Sequence, residues 1–287
     1  MIQFLVTTLN GLTLAGLFFL VASGLTLIFG LMRVINLAHG GFYLFAAYFS
    51  WKIISVVHNW VLGAVICSIG VAAFGTIFYF FILKRFQYEE LRVALITLGL
   101  SLVLEQLMLA IFGGDAYKIT VPKMISSTIA IPGSILGYPI FRIVFLVVSL
   151  ITGALLWVLI TKTKFGSIIR AGVDDTKMVS ALGINVQQIF TIVFAIGCAM
   201  VGFAGTVGGT SIAYGMGTDG DFLLFSLQVV IVGGLGSITG AAIGSLLIGL
   251  VNQFASGYVP TFSGFLTFAI MILVLAFRPQ GLMGNRL

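Results

Sequence analysis

Apolar residues run in long blocks along this chain, and polar residues gather in the gaps between them. A hydrocarbon layer about 30 Å thick asks for about twenty apolar residues per crossing helix. By that measure the blocks predict membrane helices near residues 8–31, 42–57, 60–83, 93–112, 141–161, 188–211, 222–236, 240–256 and 262–278. Those at 42–57, 222–236 and 240–256 are short, which predicts half-helices or steeply broken ones. The expected fold is an all-α polytopic membrane protein, one transmembrane domain over residues 1–287 with about 8–10 helices, some of them discontinuous.

Two gaps are longer than connectors need. Residues 113–140, GGDAYKITVPKMISSTIAIPGSILGYPI, form the main outer loop. Their prolines, serines and glycines preclude a membrane helix, and STIAIPG suits a short strand or turn. Residues 161–188, TKTKFGSIIRAGVDDTKMVSALGINVQQ, form the largest inner loop. Their middle reads as a short amphipathic helix, with Ile168, Ile169, Val173 and Met178 set against Arg170, Asp174 and Lys177. Asp175 or Thr176 can cap a second turn. Such a loop either rests on the membrane surface or docks a cytoplasmic partner.

Composition and charge narrow the class. The chain of 287 residues is 60% hydrophobic and 8% charged, where a soluble domain carries about a quarter charged residues. Mean hydropathy is +1.21, as in an integral membrane protein. A net charge of +6 would suggest nucleic acid in a soluble protein. Here the basic residues sit in short loops, so the charge speaks of topology, and no nucleic-acid partner is expected. With the blocks above, Arg33, Lys84, Arg85, Arg92, Lys162, Lys164, Arg170, Lys177, Arg278 and Arg286 fall on one side. Lys118, Lys123 and Arg142 fall on the other, and Lys52 lies inside a block. The positive-inside rule makes the first group cytoplasmic, the C-terminus with it, and the N-terminus external. The N-terminal block has no basic stretch before it and is too long for a signal peptide, so it reads as a retained span. Cys67 and Cys198 both lie in apolar blocks and read as buried small hydrophobes, not a disulfide. Neither CxxC nor HExxH occurs, so no metal site is expected. GxxxxGK[ST] is also missing, so the chain does not bind ATP by a phosphate loop.

Candidate chemistry lies where polar residues interrupt apolar blocks. In GLMRVINLAHGGFYLFAAYFSW, residues 30–51, Asn36, His39, Gly40 and Gly41 separate two blocks. A helix broken in hydrocarbon leaves backbone groups unpaired at several kcal/mol each, so a break there needs protein or water beside it. Asn36 and His39 either bond the freed backbone or face a solute path, and the two roles are compatible. Glu105 is the carboxylate inside a block, with Gln106 beside it. It faces a cavity or a partner, or is paired structurally. Gln228, Asn252 and Gln253 suit hydrogen bonds between helices. Gly236, Gly240 and Gly244 recur every four residues, a stripe for close packing on another helix. The break near Asn36 has a faint echo in GGLGSITGAAIGSLLIGL, residues 233–250, and paired breaks in two halves point to a transport site.

The segments GLTLIFGLMRVINLAHGGFYLFAAY, KFGSIIRAGVDDTKMVSALGINVQQIFTIVFAIGCAMVGFAG, VIVGGLGSITGAAIGSLLIGLV and FRPQGLMG occur in order over nearly the whole chain. Together they resemble LivH-type permeases, the membrane subunits of branched-chain amino acid ABC importers. The resemblance implies a type II-like importer fold and a place in a bacterial plasma membrane. It also implies a second, LivM-type permease, two cytoplasmic ATPases that carry ATP and Mg, and an external solute-binding protein. Residues 165–187 become the coupling segment, through Phe165, Ile169, Arg170, Val173, Asp174, Asp175, Lys177 and Gly183. Asn36, His39, Gly40 and Gly41, with Glu105 and Gln228, become the candidate solute pathway. Many members carry Glu or another residue at the place of Gly41, so a charge supplied there is absent. The family also imports urea, short amides and aromatic acids, which leaves the solute open. Two other functions compete. A stand-alone secondary transporter or channel also uses broken helices, but titratable groups inside the blocks are scarce. A membrane enzyme lacks a nucleophile–base or metal cluster.

Overall fold

The computed structural model describes residues 2–32, 36–86, 89–130 and 137–284, except for the side chains of Leu31, Val173, Asp174, Thr176 and Lys177. Its helices are α1 (Ile2–Met32), α2 (His39–Val57), α3 (Trp60–Phe81), α4 (Glu90–Phe112), α5 (Ile140–Lys162), α6 (Lys164–Asp174), α7 (Thr176–Ala181), α8 (Val186–Ser211), α9 (Thr218–Gly233), α10 (Ile238–Tyr258) and α11 (Ser263–Phe277). Two short strands, β1 (Thr128–Ala130) and β2 (Gly137–Pro139), pair antiparallel with Ile129 opposite Tyr138. β1 forms in the stretch where the sequence predicts a strand or turn, and β2 lies beyond it. Among the described residues, eight helical stretches are long and apolar enough to cross a membrane. The 16-residue α9 is not one of them, so the nine predicted blocks become eight spans and one shorter helix.

The boundaries move for local reasons. The first block is expected from residue 8, but α1 starts at Ile2. The hydroxyl of Thr8 donates to the Phe4 carbonyl at 2.8 Å, so its polar group is satisfied inside the helix. α10 opens at Ser237, whose side chain accepts from the Gly240 N–H at 3.0 Å. Gly234 and Gly236, at φ 106° and 80°, end α9 and turn the chain into α10. Gly236 thus precedes α10 and packs on Gly30 at the end of α1. Gly240 lies against the Gly233 carbonyl and Gly244 against that of Val229. The glycine stripe therefore packs within this chain.

α1 and α8 form the centre of the bundle. α1 has 31 residues, about 46 Å of helix at 1.5 Å per residue. Gly24 and Gly197 bring α1 and α8 into backbone contact. Around them, α3, α5 and α11 turn out leucine, isoleucine and phenylalanine, among them Ile69, Phe81, Ile151, Leu155, Phe265 and Ile272, as a hydrocarbon solvent requires. Residues 113–130 and 137–139 lie at one end, here the hairpin end, and α6 and α7 lie at the other, the arm end.

The arm is built from caps. The Thr163 side chain accepts from the Gly166 N–H at 3.2 Å and opens α6. Asp175 Oδ1 accepts from the Met178 N–H at 2.9 Å, so Asp175 is the second cap that the sequence predicts. Gly183, at φ 82°, follows the end of α7. Asn185 then accepts from the Gln188 N–H at 3.2 Å and opens α8. The placement of Ile169 corrects an expectation. It is 0% exposed, so this apolar side of α6 seats the arm on the bundle and is not free for a partner. Phe165 is half-buried, and the Arg170 guanidinium donates to the Ile160 carbonyl. Among the described residues, the large exposed apolar side chains of the arm are Met178 at 65% and Leu182 at 72%. The side chains of Val173, Asp174 and Lys177 lie outside the described residues.

Candidate functional site: two helix starts inside the bundle

α2 begins deep in the molecule. The Nε2–H of His39 donates to the Val21 carbonyl at 2.8 Å. Val21 lies eleven residues before the end of α1, about 16 Å of helix. The chain therefore returns inward from Met32 before α2 starts. Residues 36–38 are held on this return path. Asn36 Oδ1 accepts from the Ala38 N–H at 3.2 Å, and the Asn36 carbonyl accepts from the His39 N–H at 3.3 Å. The Leu37 N–H donates to Thr97 Oγ1 at 3.0 Å. The break is shorter than the sequence suggests. Among the described residues only Asn36–Ala38 are non-helical here, and His39, Gly40 and Gly41 form the first turn of α2.

α9 also begins inside. Residues 212–217 lead in from the hairpin end, where Tyr214 and Tyr117 exchange backbone hydrogen bonds of 2.9 and 2.8 Å. Gly217, at φ 84°, then donates its N–H to Glu105 Oε1 at 3.1 Å. Glu105 lies seven residues before the end of α4, about 10 Å into the bundle. The two helix starts meet: a side chain at Gly40 would overlap the Asp219 carbonyl, and Tyr43 stacks on Phe222 with ring centroids 3.9 Å apart. The positive dipole ends of two helices therefore converge at one depth. A further break thus lies before α9, in YGMGTDGDF, while the 233–250 stretch that the sequence pairs with the first holds its own break at 234–237, between α9 and α10.

α4 supplies the wall. Thr97, Ser101 and Glu105 recur every four residues, and a side chain at Gly41 would run into Ser101. Asp219 is 8% exposed and sits in the first turn of α9, where the charges of Glu105 and Asp221 act on it. Asp221 is exposed and Glu105 half-buried. Among the described residues, four buried side-chain polar atoms lack a hydrogen-bond partner, Asn36 Nδ2, His39 Nδ1, Tyr48 Oη and Gln228 Oε1, all of them on α2, α9 or the turn before α2. Asn36 and His39 thus each hold the break with one atom and leave another bare. Gln228 is buried on α9, nine residues beyond Asp219. Among the described residues, no group of three His, Cys, Asp or Glu side chains could hold a metal ion. The arm residues Phe165, Ile169, Arg170 and Asp175 lie at the arm end, apart from this junction.

Sequence reasoning missed Gly217, Asp219 and Asp221. A signal was present: glycine followed by two acidic residues in the first turn of an apolar segment is a helix-start pattern. It is easily read as loop because it follows a complete span.

The chain matches the family described as "Branched-chain amino acid transport system / permease component" over residues 7–275. It belongs to that permease family. The permease is 28% identical to the high-affinity branched-chain amino acid transport system permease protein BraD of Pseudomonas aeruginosa, over 99% of this chain and 96% of the relative. Identity to LivH of Escherichia coli (strain K12) is also 28%, over 99% and 96%. LivM of the same strain, another permease of that system, is 26% identical over 96% of this chain and 70% of its own length. No solved structure matches the chain. Within this multi-pass membrane permease, the motif INLAHGGF marks the start of α2, and the run from Lys164 marks the arm and α8.

Proposed function

We propose that this permease is the membrane subunit of an ATP-driven importer for branched-chain or related amino acids, and forms one half of a two-permease pathway. The other half is a LivM-type chain. Similarity to LivM as well as LivH supports a pair of like-folded subunits. ATP and Mg belong to two cytoplasmic ATPases that dock on the arm, and an external binding protein delivers solute to the hairpin end. The assembly sits in a bacterial plasma membrane with the C-terminus of this chain cytoplasmic.

One observation carries the pathway reading. Asp221 is exposed and Glu105 partly so, and Glu105 lies seven residues inside a helix long and apolar enough to cross a membrane. A carboxylate is costly in hydrocarbon and faces protein or a water-filled cavity. The α4–α9 face, with the helix starts behind it, is therefore covered by a partner and lines the path. The helix N-termini suit a solute carboxylate, and the carboxylates suit its ammonium group.

The test is purification through a tag on this chain after co-expression with a candidate permease, two ATPases and a binding protein. The expected result is a particle with all the membrane and ATPase subunits. It should take up leucine into proteoliposomes only with ATP and loaded binding protein. ATP-independent uptake by this chain alone would overturn the reading and make it a secondary transporter or channel.

A further inference from the structure

A polar cavity lies at the hairpin end, apart from the junction of α2 and α9. It has a volume of about 140 Å³ and lies between α1, α5, α10 and the end of α8. Its polar lining includes Arg142, Asn10, Ser211 and Gln253, and its apolar lining includes Leu14 and Ile212. The guanidinium of Arg142 donates to Asn10 Oδ1 and sits 5.9 Å from the centre of the Tyr138 ring. Tyr138 is itself fixed, its hydroxyl lying 2.7 Å from Thr13 Oγ1 and 2.9 Å from the Leu9 carbonyl. The cation is thus held in place but not neutralised. Among the described residues, the one ion pair joins Arg92 to Glu89, at the far end of α4.

A guanidinium has five N–H donors, and Asn10 accepts one. The others are free to face the cavity, where a bidentate oxyanion is the matching partner. The Ser211 hydroxyl donates to the Val207 carbonyl at 2.9 Å, which leaves its lone pairs to accept from the ammonium group of an amino acid, not from the oxyanion. Leu14 and Ile212 give an aliphatic group a place beside the charged end. We propose that this cavity is an oxyanion site, in which Arg142 binds the carboxylate of a small aliphatic solute. The same chemistry could also come from a phospholipid phosphate. The identity of the carboxylate as an amino acid's rests on the proposed transport function, whereas the site itself does not.

The experiment measures binding without ATP, on the complete permease complex in nanodiscs of phosphatidylethanolamine and phosphatidylglycerol. Radiolabelled leucine is the first probe, with leucinamide, which lacks the carboxylate, as competitor. Arg142→Gln is expected to weaken leucine binding by at least about tenfold, as loss of a charged hydrogen-bond pair does. Arg142→Lys should lose less, and leucinamide should not compete. Native mass spectrometry of the same particles counts retained phospholipid. If leucine binding is unchanged but Arg142→Gln loses one tightly held phospholipid, the oxyanion is the lipid phosphate and the carboxylate assignment falls. If neither ligand responds, the site is overturned. Should Arg142→Gln fail to assemble, Ser211→Phe fills the cavity while keeping the guanidinium, and it must reduce the same binding. ATP-driven leucine uptake alongside unchanged binding in both variants would refute the site and leave the transport function standing. A binding site lost with Arg142 in a complex that does not transport leucine would do the reverse.

Discussion

Gly40 shows what a single position does in this permease. At that point the first turn of α2 meets the first turn of α9, and a Cβ would overlap the Asp219 carbonyl and press on Leu223. The obstacle is backbone, which cannot rotate away as a side-chain tip can. Gly40→Ala should therefore lower stability by about 1–3 kcal/mol, the usual cost of overpacking, seen as a lower Tm of the purified complex. Gly220→Ala is the control, because nothing lies near its added methyl group; an equal loss in both variants would remove the explanation. Glu105 carries a different kind of prediction. Glu105→Gln keeps an oxygen for the Gly217 N–H but removes the charge. Assembly should survive and solute uptake should fall by about tenfold, the order expected for loss of a charged hydrogen-bond partner. Unchanged uptake would show that the carboxylate serves only the loop. The sequence exposes Asn36, His39 and Glu105, because each is polar within an apolar block. Asp219 stays hidden because its neighbours are Gly, Thr and Asp, and only the fold shows that this stretch lies inside the bundle.

Whole elements repeat the contrast between what is local and what is not. The long blocks that became α3, α4, α5 and α8 are legible because a membrane helix satisfies its own backbone and its length is set by the bilayer. The two helices that begin inside the bundle are not. Their starts are fixed by Val21, Thr97 and Glu105 on other helices, and no local pattern carries that. The arm behaves the same way. Its helices, caps and closing glycine follow from residues 163–185, but the direction of its apolar face does not. α6 uses Ile169 to sit on the bundle, and the outward residues belong to α7 and the turn after it. Two outcomes separate these roles. Leu182→Asp, or Met178→Asp, should leave insertion intact and abolish the stimulation of ATP hydrolysis by loaded binding protein. Ile169→Asp should instead lower the amount of folded permease, since it buries a charge without a partner. If Leu182→Asp and Met178→Asp both retain full stimulation in the purified complex, the coupling surface lies elsewhere.

The molecule as a whole is ordered by charge as well as by greasiness. Its class was readable from composition alone, while its two interior helix starts needed three-dimensional contacts from α1 and α4. Its orientation rests on the basic residues, and the fold puts that argument on firmer ground. Arg85 and the arm lie toward one end of the bundle, and Lys118 and the hairpin toward the other. The chain reaches α9 only by passing inward through residues 212–217, so the short helix still counts as a crossing, and the odd number of crossings puts the two termini on opposite sides. On the positive-inside rule we propose that Arg85 is cytoplasmic and Lys118 external. Single cysteines test this cleanly, because the native Cys67 and Cys198 are both 0% exposed and offer little background. Arg85 and Lys118 are exposed, so replacing either should leave the fold intact. In intact cells a membrane-impermeant maleimide should label Lys118→Cys at once and Arg85→Cys only after permeabilisation. The opposite pattern would invert the molecule and put the arm outside, away from any ATPase. Labelling of both from outside would break the bundle topology itself, since it would require residues 85 and 118 to lie on one side of α4.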